Sequence, residues 1–118
     1  MDFLFNDHLL NDKEGKMSAS VTIAGSSPWF SGHFPGDPIL PGIAQLKMVV
    51  DLISTSMQGV SHPTGLSRVK FRKIVRPGDL LDIQVTCTGK EDQFIFRITC
   101  GDEEVCSGRM FSTQKKPV

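Results

Sequence analysis

No stretch of this chain approaches the 18 consecutive apolar residues that a membrane-spanning helix requires, and the first residues, Met1-Asp2-Phe3-Leu4-Phe5-Asn6-Asp7, lack the basic start and apolar run of a signal peptide. A cytoplasmic location is therefore expected. There is no excess charge of either sign: 13 Lys and Arg balance 13 Asp and Glu, for a formal net charge of zero. No global field favours nucleic acid or a membrane surface as partner. Cysteine is scarce and odd in number. Cys87, Cys100 and Cys106 show neither CxxC nor Cys/His ligand spacing, and all three fall in strand-like segments, where a free cysteine acts as a small hydrophobe. His8 and His62 have no partner pattern and are read as surface or capping residues. No metal and no cofactor is expected. Internal repeats, low-complexity tracts and long linkers are also absent, and aromatic residues are mostly Phe, with one Trp and no Tyr. What remains is ordinary for a soluble globular protein: 39% hydrophobic and 22% charged residues in 118 positions, enough for one domain over residues 1–118 with a single modest core.

Periodicity divides that domain into recognisable elements. Residues 1–17 are polar and mixed, fitting a short strand or turn and a loop ending in Asp12-Lys13-Glu14-Gly15-Lys16. Ala19-Ser20-Val21-Thr22-Ile23-Ala24 alternates with period two, as a half-buried strand does. From Pro41 to Gln58, Ile43, Leu46, Val50, Ile53 and Met57 recur at helical spacing, with Met48, Val49 and Leu52 widening the apolar surface. Proline suits the first helical position, and Gly59 is the expected terminator. A helix apolar over so much of its circumference should be buried on several sides. Four strands follow, over 66–74, 80–88, 93–100 and 104–113. Arg76-Pro77-Gly78-Asp79, Gly89 to Asp92 and Gly101-Asp102 separate them. Short turns between alternating segments predict an antiparallel meander, and one helix with five or six antiparallel strands predicts an α+β layer architecture with the sheet wrapped around the helix.

The chemistry-bearing segment is His33-Phe34-Pro35-Gly36-Asp37-Pro38-Ile39-Leu40-Pro41-Gly42-Ile43-Ala44-Gln45. Three prolines fix backbone φ angles and two glycines permit close approach, so one histidine is held rigidly beside a helix start. Gly42 lies in the first helical turn, where amide N–H groups lack intrahelical acceptors and the dipole end is positive. A substrate carbonyl can reach those amides in the manner of an oxyanion hole, and a nearby imidazole can move a proton near neutral pH. A purely structural Pro/Gly loop with a hydrogen-bonded histidine has the same spacing.

These residues resemble a known family. Trp29-Phe30-Ser31-Gly32-His33 through Gly42, with Gln45 and the downstream Val69-Lys70-Phe71-Arg72-Lys73-Ile74-Val75-Arg76-Pro77-Gly78-Asp79-Leu80, is similar to the hotdog-fold 3-hydroxyacyl-[acyl-carrier-protein] dehydratases of fatty acid synthesis. The resemblance runs from about residue 18 to the end. It implies a hotdog fold and a dimer whose sheets join edge to edge, with two active sites shared across the interface. It also implies elimination of water from a 3-hydroxyacyl thioester to give a trans-2-enoyl thioester. Carried over, His33 is the base that takes the C2 proton and the Gly42 N–H anchors the thioester carbonyl. Pro41, Gln45 and Phe34 complete the substrate-binding set.

The family's acidic position on the helix falls on Lys47. Three readings follow. The homodimer dehydrates with altered acid chemistry, using Lys47 and Asp51, which lies one turn on and can pair with Lys47 or replace the carboxylate. Alternatively, the chain is a degenerate subunit of a heterodimer whose second hotdog subunit supplies the acid. In the third, it binds acyl thioesters or carrier proteins without hydrating them, or hydrolyses them as a thioesterase. Lys47 can also simply lay its stem along the helix and carry its ammonium to solvent.

Five of the thirteen basic residues, Arg68, Lys70, Arg72, Lys73 and Arg76, crowd one strand-like segment. Period two puts Arg68, Lys70 and Arg72 on one face and Val69, Phe71 and Lys73 on the other. A charged edge strand that resists aggregation is one explanation. The other, implied by the resemblance, is a docking patch for an acidic acyl carrier protein bearing a phosphopantetheine-linked substrate, with acyl-CoA as the alternative carrier. Assembly beyond the dimer, such as a hexamer, remains open at this level.

Overall fold

A computed structural model describes residues 7–11, 15–25, 39–57, 60–88 and 93–114. Among these residues the chain forms β1 (Asp7–Asn11), β2 (Lys16–Thr22), α1 (Gly42–Ser56), β3 (Val60–Phe71), β4 (Leu80–Cys87), β5 (Gln93–Cys100) and β6 (Glu103–Gln114). The strands make one antiparallel sheet in the order β1-β2-β4-β5-β6-β3, with α1 packed on β2, β3 and β4. This is the expected α+β hotdog arrangement, with six strands.

Alternation builds the core. Met17, Ala19 and Val21 of β2, Leu81, Ile83 and Val85 of β4, and Phe94, Phe96 and Ile98 of β5 all point inward. They meet Ala44, Met48, Val49, Leu52 and Ile53 of α1, none more than 2% exposed. The three cysteines lie in strands as expected, free, with Cys106 buried and the other two half-buried. Burial, helped by the nearby Glu104 carboxylate, pushes the Cys106 thiol up to about 11, so it is a neutral core side chain.

Three expectations are corrected. The four later strands are not a simple meander: β4, β5 and β6 are, but β3 pairs with β6 at the far edge of the sheet. The Arg76–Asp79 segment is therefore not a hairpin. It closes on itself through Asp79 N–H to Arg76 O, 3.2 Å, and Arg76 N–H to Asp79 Oδ2, 3.0 Å, and it docks on the end of β2 through Gly78 N–H to Ile23 O, 3.1 Å. Strand limits also differ. β3 begins at Val60 rather than Leu66, running through Pro63 and Gly65, because an edge strand tolerates a proline that a central strand does not. It ends at Phe71 rather than 74, and β2 starts at Lys16 rather than Ala19. Finally, α1 is not buried on all its apolar sides. Ile43 is 69% exposed, and Leu46 and Val50 are half-buried, because the sheet covers only one side of the helix. The helix ends at Ser56; Gln58 and Gly59 lie outside the described residues.

One irregularity sets the phase of β3. Arg68 has φ +54°, a left-handed conformation unfavourable to a side chain, where the β3–β6 register shifts between Ser67 and Lys70. The bulge puts two consecutive residues on the same side of the strand, so Leu66, Val69 and Phe71 all face the helix side although the first and last are an odd five positions apart. Gly108 of β6 makes room: a Cβ there would lie 2.9 Å from the Phe96 ring and 3.0 Å from Val69 Cα.

Candidate active site

Pro41 fixes the helix start. Its φ of −62° and ψ of 151° make it the N-cap, with its carbonyl accepting from the Ala44 and Gln45 amides at 3.1 and 3.3 Å. Among the described residues no side chain caps this end, and no acid lies in the first turn, so the turn itself offers its positive dipole end no carboxylate. Ahead of it, Leu40 N–H donates to Val75 O at 2.8 Å, tying the helix lead-in to the segment after β3. Gly42 lets the ring come close: an added Cβ would fall 2.8 Å from Phe71 Cζ and 3.0 Å from Cε1, so the tip of this half-exposed side chain would have to swing aside. The half-exposed Phe71 ring thus abuts the backbone at the helix start.

Gln45, one turn in, is 3% exposed, and its Oε1 is buried without a hydrogen-bond partner among the described residues. A buried amide oxygen left unpaired is unfavourable, and it can accept from a donor brought by a ligand. Lys47 and Asp51 come together as their i,i+4 spacing anticipates: Lys47 Nζ donates to Asp51 Oδ1 at 2.9 Å, the two side chains being 31% and 12% exposed. Lys47 stands at the rim of an apolar groove of about 270 Å³ between α1 and β3, formed with Ile43, Leu46, Val50, Pro63, Leu66 and Met110.

The structure therefore brings Pro41, Gly42 and Gln45 together at the helix start and joins Lys47 to Asp51 on the next turn. His33 and Phe34 fall in 26–38, outside the described residues. Phe71 escaped sequence reasoning as a contact of Gly42; its alternation with the basic residues did place it on the opposite face. Of the groove residues, Leu66 stands at the expected strand start, whereas Pro63 belongs to the earlier stretch of β3 that the composition did not mark as strand.

The basic residues separate into groups. Arg68, Lys70 and Arg72 line one shallow groove of about 370 Å³ on the outer sheet face, as their spacing predicts, together with Arg97 of β5 and Arg109 of β6. Arg72 Nε and Arg97 Nε both pair with Glu104, at 2.6 and 3.1 Å. Lys73 instead turns to Glu103, at 2.8 Å; that hydrogen bond raises its pKa above the ordinary lysine value. Arg76 sits in the Pro77-Gly78 turn.

Comparison with known proteins agrees with this geometry. A family model described as ApeI dehydratase matches residues 9–109. The 3-hydroxyacyl-[acyl-carrier-protein] dehydratase FabZ of Caldicellulosiruptor saccharolyticus is 36% identical over 90 residues, covering 70% of this chain and 64% of that protein. This chain thus matches a little under two thirds of that relative's length. FabZ of Yersinia enterocolitica is 30% identical over 98% of this chain and 76% of its own. Among solved structures, the dehydratase heterocomplex ApeI:P from Xenorhabdus doucetiae superposes with a TM-score of 0.84 at 24% identity, covering 97% of this chain and all of that one. An uncharacterised protein from Erwinia carotovora subsp. atroseptica gives 0.74 at 28% identity, covering 97% and 95%. With a family model spanning most of its length and the hotdog sheet and helix in place, this chain belongs to the ApeI-like dehydratase family.

Proposed function

We propose that this domain, taken as residues 1–118, dehydrates a 3-hydroxyacyl thioester carried on a phosphopantetheine arm. His33 removes the C2 proton while the Gly42 N–H holds the thioester carbonyl oxygen. The C2–H electron pair becomes the C2–C3 double bond, and the C3 hydroxyl departs as water after receiving a proton. Pro41, Gln45 and Phe34 bind the substrate. The observation that carries this reading is the first turn of α1 at Gly42, which among the described residues no side chain caps and which holds no acid, beside an apolar groove of acyl-chain character. Within one homodimer the proton donor is the Lys47–Asp51 pair. The edge strand β3 and the open Ile43/Leu46/Val50 face of α1 supply the surface on which a second copy packs. Arg68, Lys70, Arg72, Lys73 and Arg76 steer an acidic carrier protein to the site; acyl-CoA would use the arm without that steering.

The Lys47–Asp51 contact favours a second reading. At the position where the family carries an acid, this chain holds a cation already paired to the carboxylate one turn away. A hotdog subunit of different sequence that keeps its acid would then complete a site with His33 across a heterodimer interface; the similar Xenorhabdus doucetiae protein belongs to a dehydratase heterocomplex, ApeI:P.

A mass-spectrometric assay separates these readings. Purified wild type, His33→Ala and Lys47→Glu are each given a 3-hydroxyacyl carrier thioester. Enoyl product from wild type that vanishes in His33→Ala supports the homodimeric enzyme. An inactive wild type restored by Lys47→Glu marks a degenerate subunit. Free acid instead of enoyl thioester would make the protein a thioesterase, and no product from any of the three would end the homodimeric reading.

A further inference from the structure

The charges of the outer sheet groove do not cancel. Arg68, Lys70, Arg72, Arg97 and Arg109, with Glu104 as the one carboxylate, line a recess of about 370 Å³ across β3, β6 and β5. The register centres them on Ser107. Lys70 lies opposite Ser107 on one side and Arg97 on the other, and Arg109, two positions along β6, is a diagonal neighbour of both. Long side chains span that separation. Glu104 already shows what the recess can hold. Its Oε2 accepts from Arg72 Nε at 2.6 Å and from the Ser107 hydroxyl at 3.5 Å, and its Oε1 accepts from Arg97 Nε at 3.1 Å. One internal oxyanion is thus bound, whereas Arg68, Lys70 and Arg109 have no acidic partner among the described residues. Backbone strain is a second, independent observation. Arg68 stands at φ +54°, a region that suits glycine and disfavours a side chain, yet the position carries a long cation that lines the groove. Strain of this kind collects where a side chain is held for a function.

We propose that this groove is a binding site for a diphosphate group, free or carried by a small molecule. Glu104 fills the end formed by Arg72 and Arg97, and the two phosphoryl groups lie beside it against Lys70, Arg109 and Arg68. Two linked phosphoryl groups match the excess of positive charge better than a single oxyanion does, and guanidinium forks take phosphate oxygens in pairs. The ligand also relieves the repulsion between like charges on neighbouring strands. A nucleic-acid strand fits poorly, because the groove offers no exposed aromatic side chain for base stacking (Phe96 is 1% exposed) and the whole chain carries no net charge. The site takes no part in the proposed dehydration. Lys73 and Arg76 lie outside the groove and keep their place in carrier steering. A bound diphosphate offsets only the share that Arg68, Lys70 and Arg72 supply.

The test is calorimetric titration of the full chain with inorganic pyrophosphate in magnesium-free buffer, with ADP and inorganic sulfate in parallel. Pyrophosphate should bind at least about tenfold more tightly than sulfate. ADP equal to or weaker than pyrophosphate assigns the site to the free diphosphate, and tighter ADP assigns it to a nucleotide. Arg109→Gln and Lys70→Gln should each weaken pyrophosphate about tenfold, most strongly at low salt. Lys73→Gln, outside the groove, should change it less than about twofold. Arg68→Gly separates binding from folding: it should weaken pyrophosphate several-fold while holding or raising the urea midpoint, because glycine relieves the strained backbone. Circular dichroism of each variant reports whether it is folded. Pyrophosphate no tighter than sulfate, or unchanged affinity in both Arg109→Gln and Lys70→Gln, overturns the proposal. So does Arg68→Gly that loses stability and keeps its affinity, or a single-stranded oligonucleotide that binds more tightly than pyrophosphate.

Discussion

The two sides of α1 look alike in sequence and have opposite fates. Ala44, Met48, Val49, Leu52 and Ile53 sit at most 2% exposed against the sheet, whereas Ile43, Leu46 and Val50, equally apolar and equally well spaced, border an open groove beside Lys47. An apolar stripe thus marks a surface that excludes water, not which surface it meets. The inner stripe serves the fold; the outer one is positioned to serve a ligand or a second subunit.

That contrast can be broken most sharply through stability. Leu52→Ala removes a fully buried side chain and should lower unfolding free energy by about 2–5 kcal/mol. Ile43→Ala should stay within about 0.5 kcal/mol at concentrations where the chain is monomeric. Urea denaturation of both checks this, and equal losses would make the outer stripe part of the core. Gly42→Ala should come next, at up to about 1 kcal/mol, since the new methyl overlaps the tip of the half-exposed Phe71 ring and makes it swing aside. Combining it with Phe71→Ala should recover part of the loss; additive losses would show that the ring is not the obstacle.

A pH series sharpens the inner side. The folded Cys106 thiol is harder to ionise than an ordinary one, from a value of 9.0 to about 11. Its contribution is therefore complete below pH 9 and is lost as pH climbs through about 11. Cys106→Val should flatten that alkaline decline in the urea midpoint. The smallest effect belongs to the outer side. Lys47–Asp51 is a partly exposed i,i+4 pair, worth about 0.3–0.5 kcal/mol. A double-mutant cycle with Lys47→Met and Asp51→Asn measures it, and a coupling several times larger would mean that the pair is held in a far drier setting than its 31% and 12% exposures indicate.

Much of the fold was legible because burial imposes period. Leu81, Ile83 and Val85 alternate with exposed partners, and 93–100 coincides with β5. The start of β3 was not legible, since Pro63 and Gly65 are turn residues by local preference and only an edge position lets them extend. Nor could the sequence place β3 beside β6. The turn at Pro77-Gly78 looks like a hairpin locally, and long-range pairing makes it a crossing. At the candidate site, Pro41, Gly42 and the Lys47–Asp51 spacing were readable because they act within one helix. Phe71 against Gly42, and Arg97 and Arg109 beside Lys70, required residues far apart in sequence to meet.

By itself, then, the sequence determined what depends on neighbours along the chain: alternating strands, a proline-started helix with its amides open at Gly42, an ion pair one turn apart, and three cations on one strand face. Backbone stereochemistry and side-chain period are local, so they survive without knowledge of the fold. Only the tertiary structure decided which apolar side of α1 is core, which strand is the edge, and which distant arginines join Lys70. Those outcomes follow from strand order and from the bulge at Arg68, where a local disadvantage is accepted to satisfy packing against Gly108 and α1.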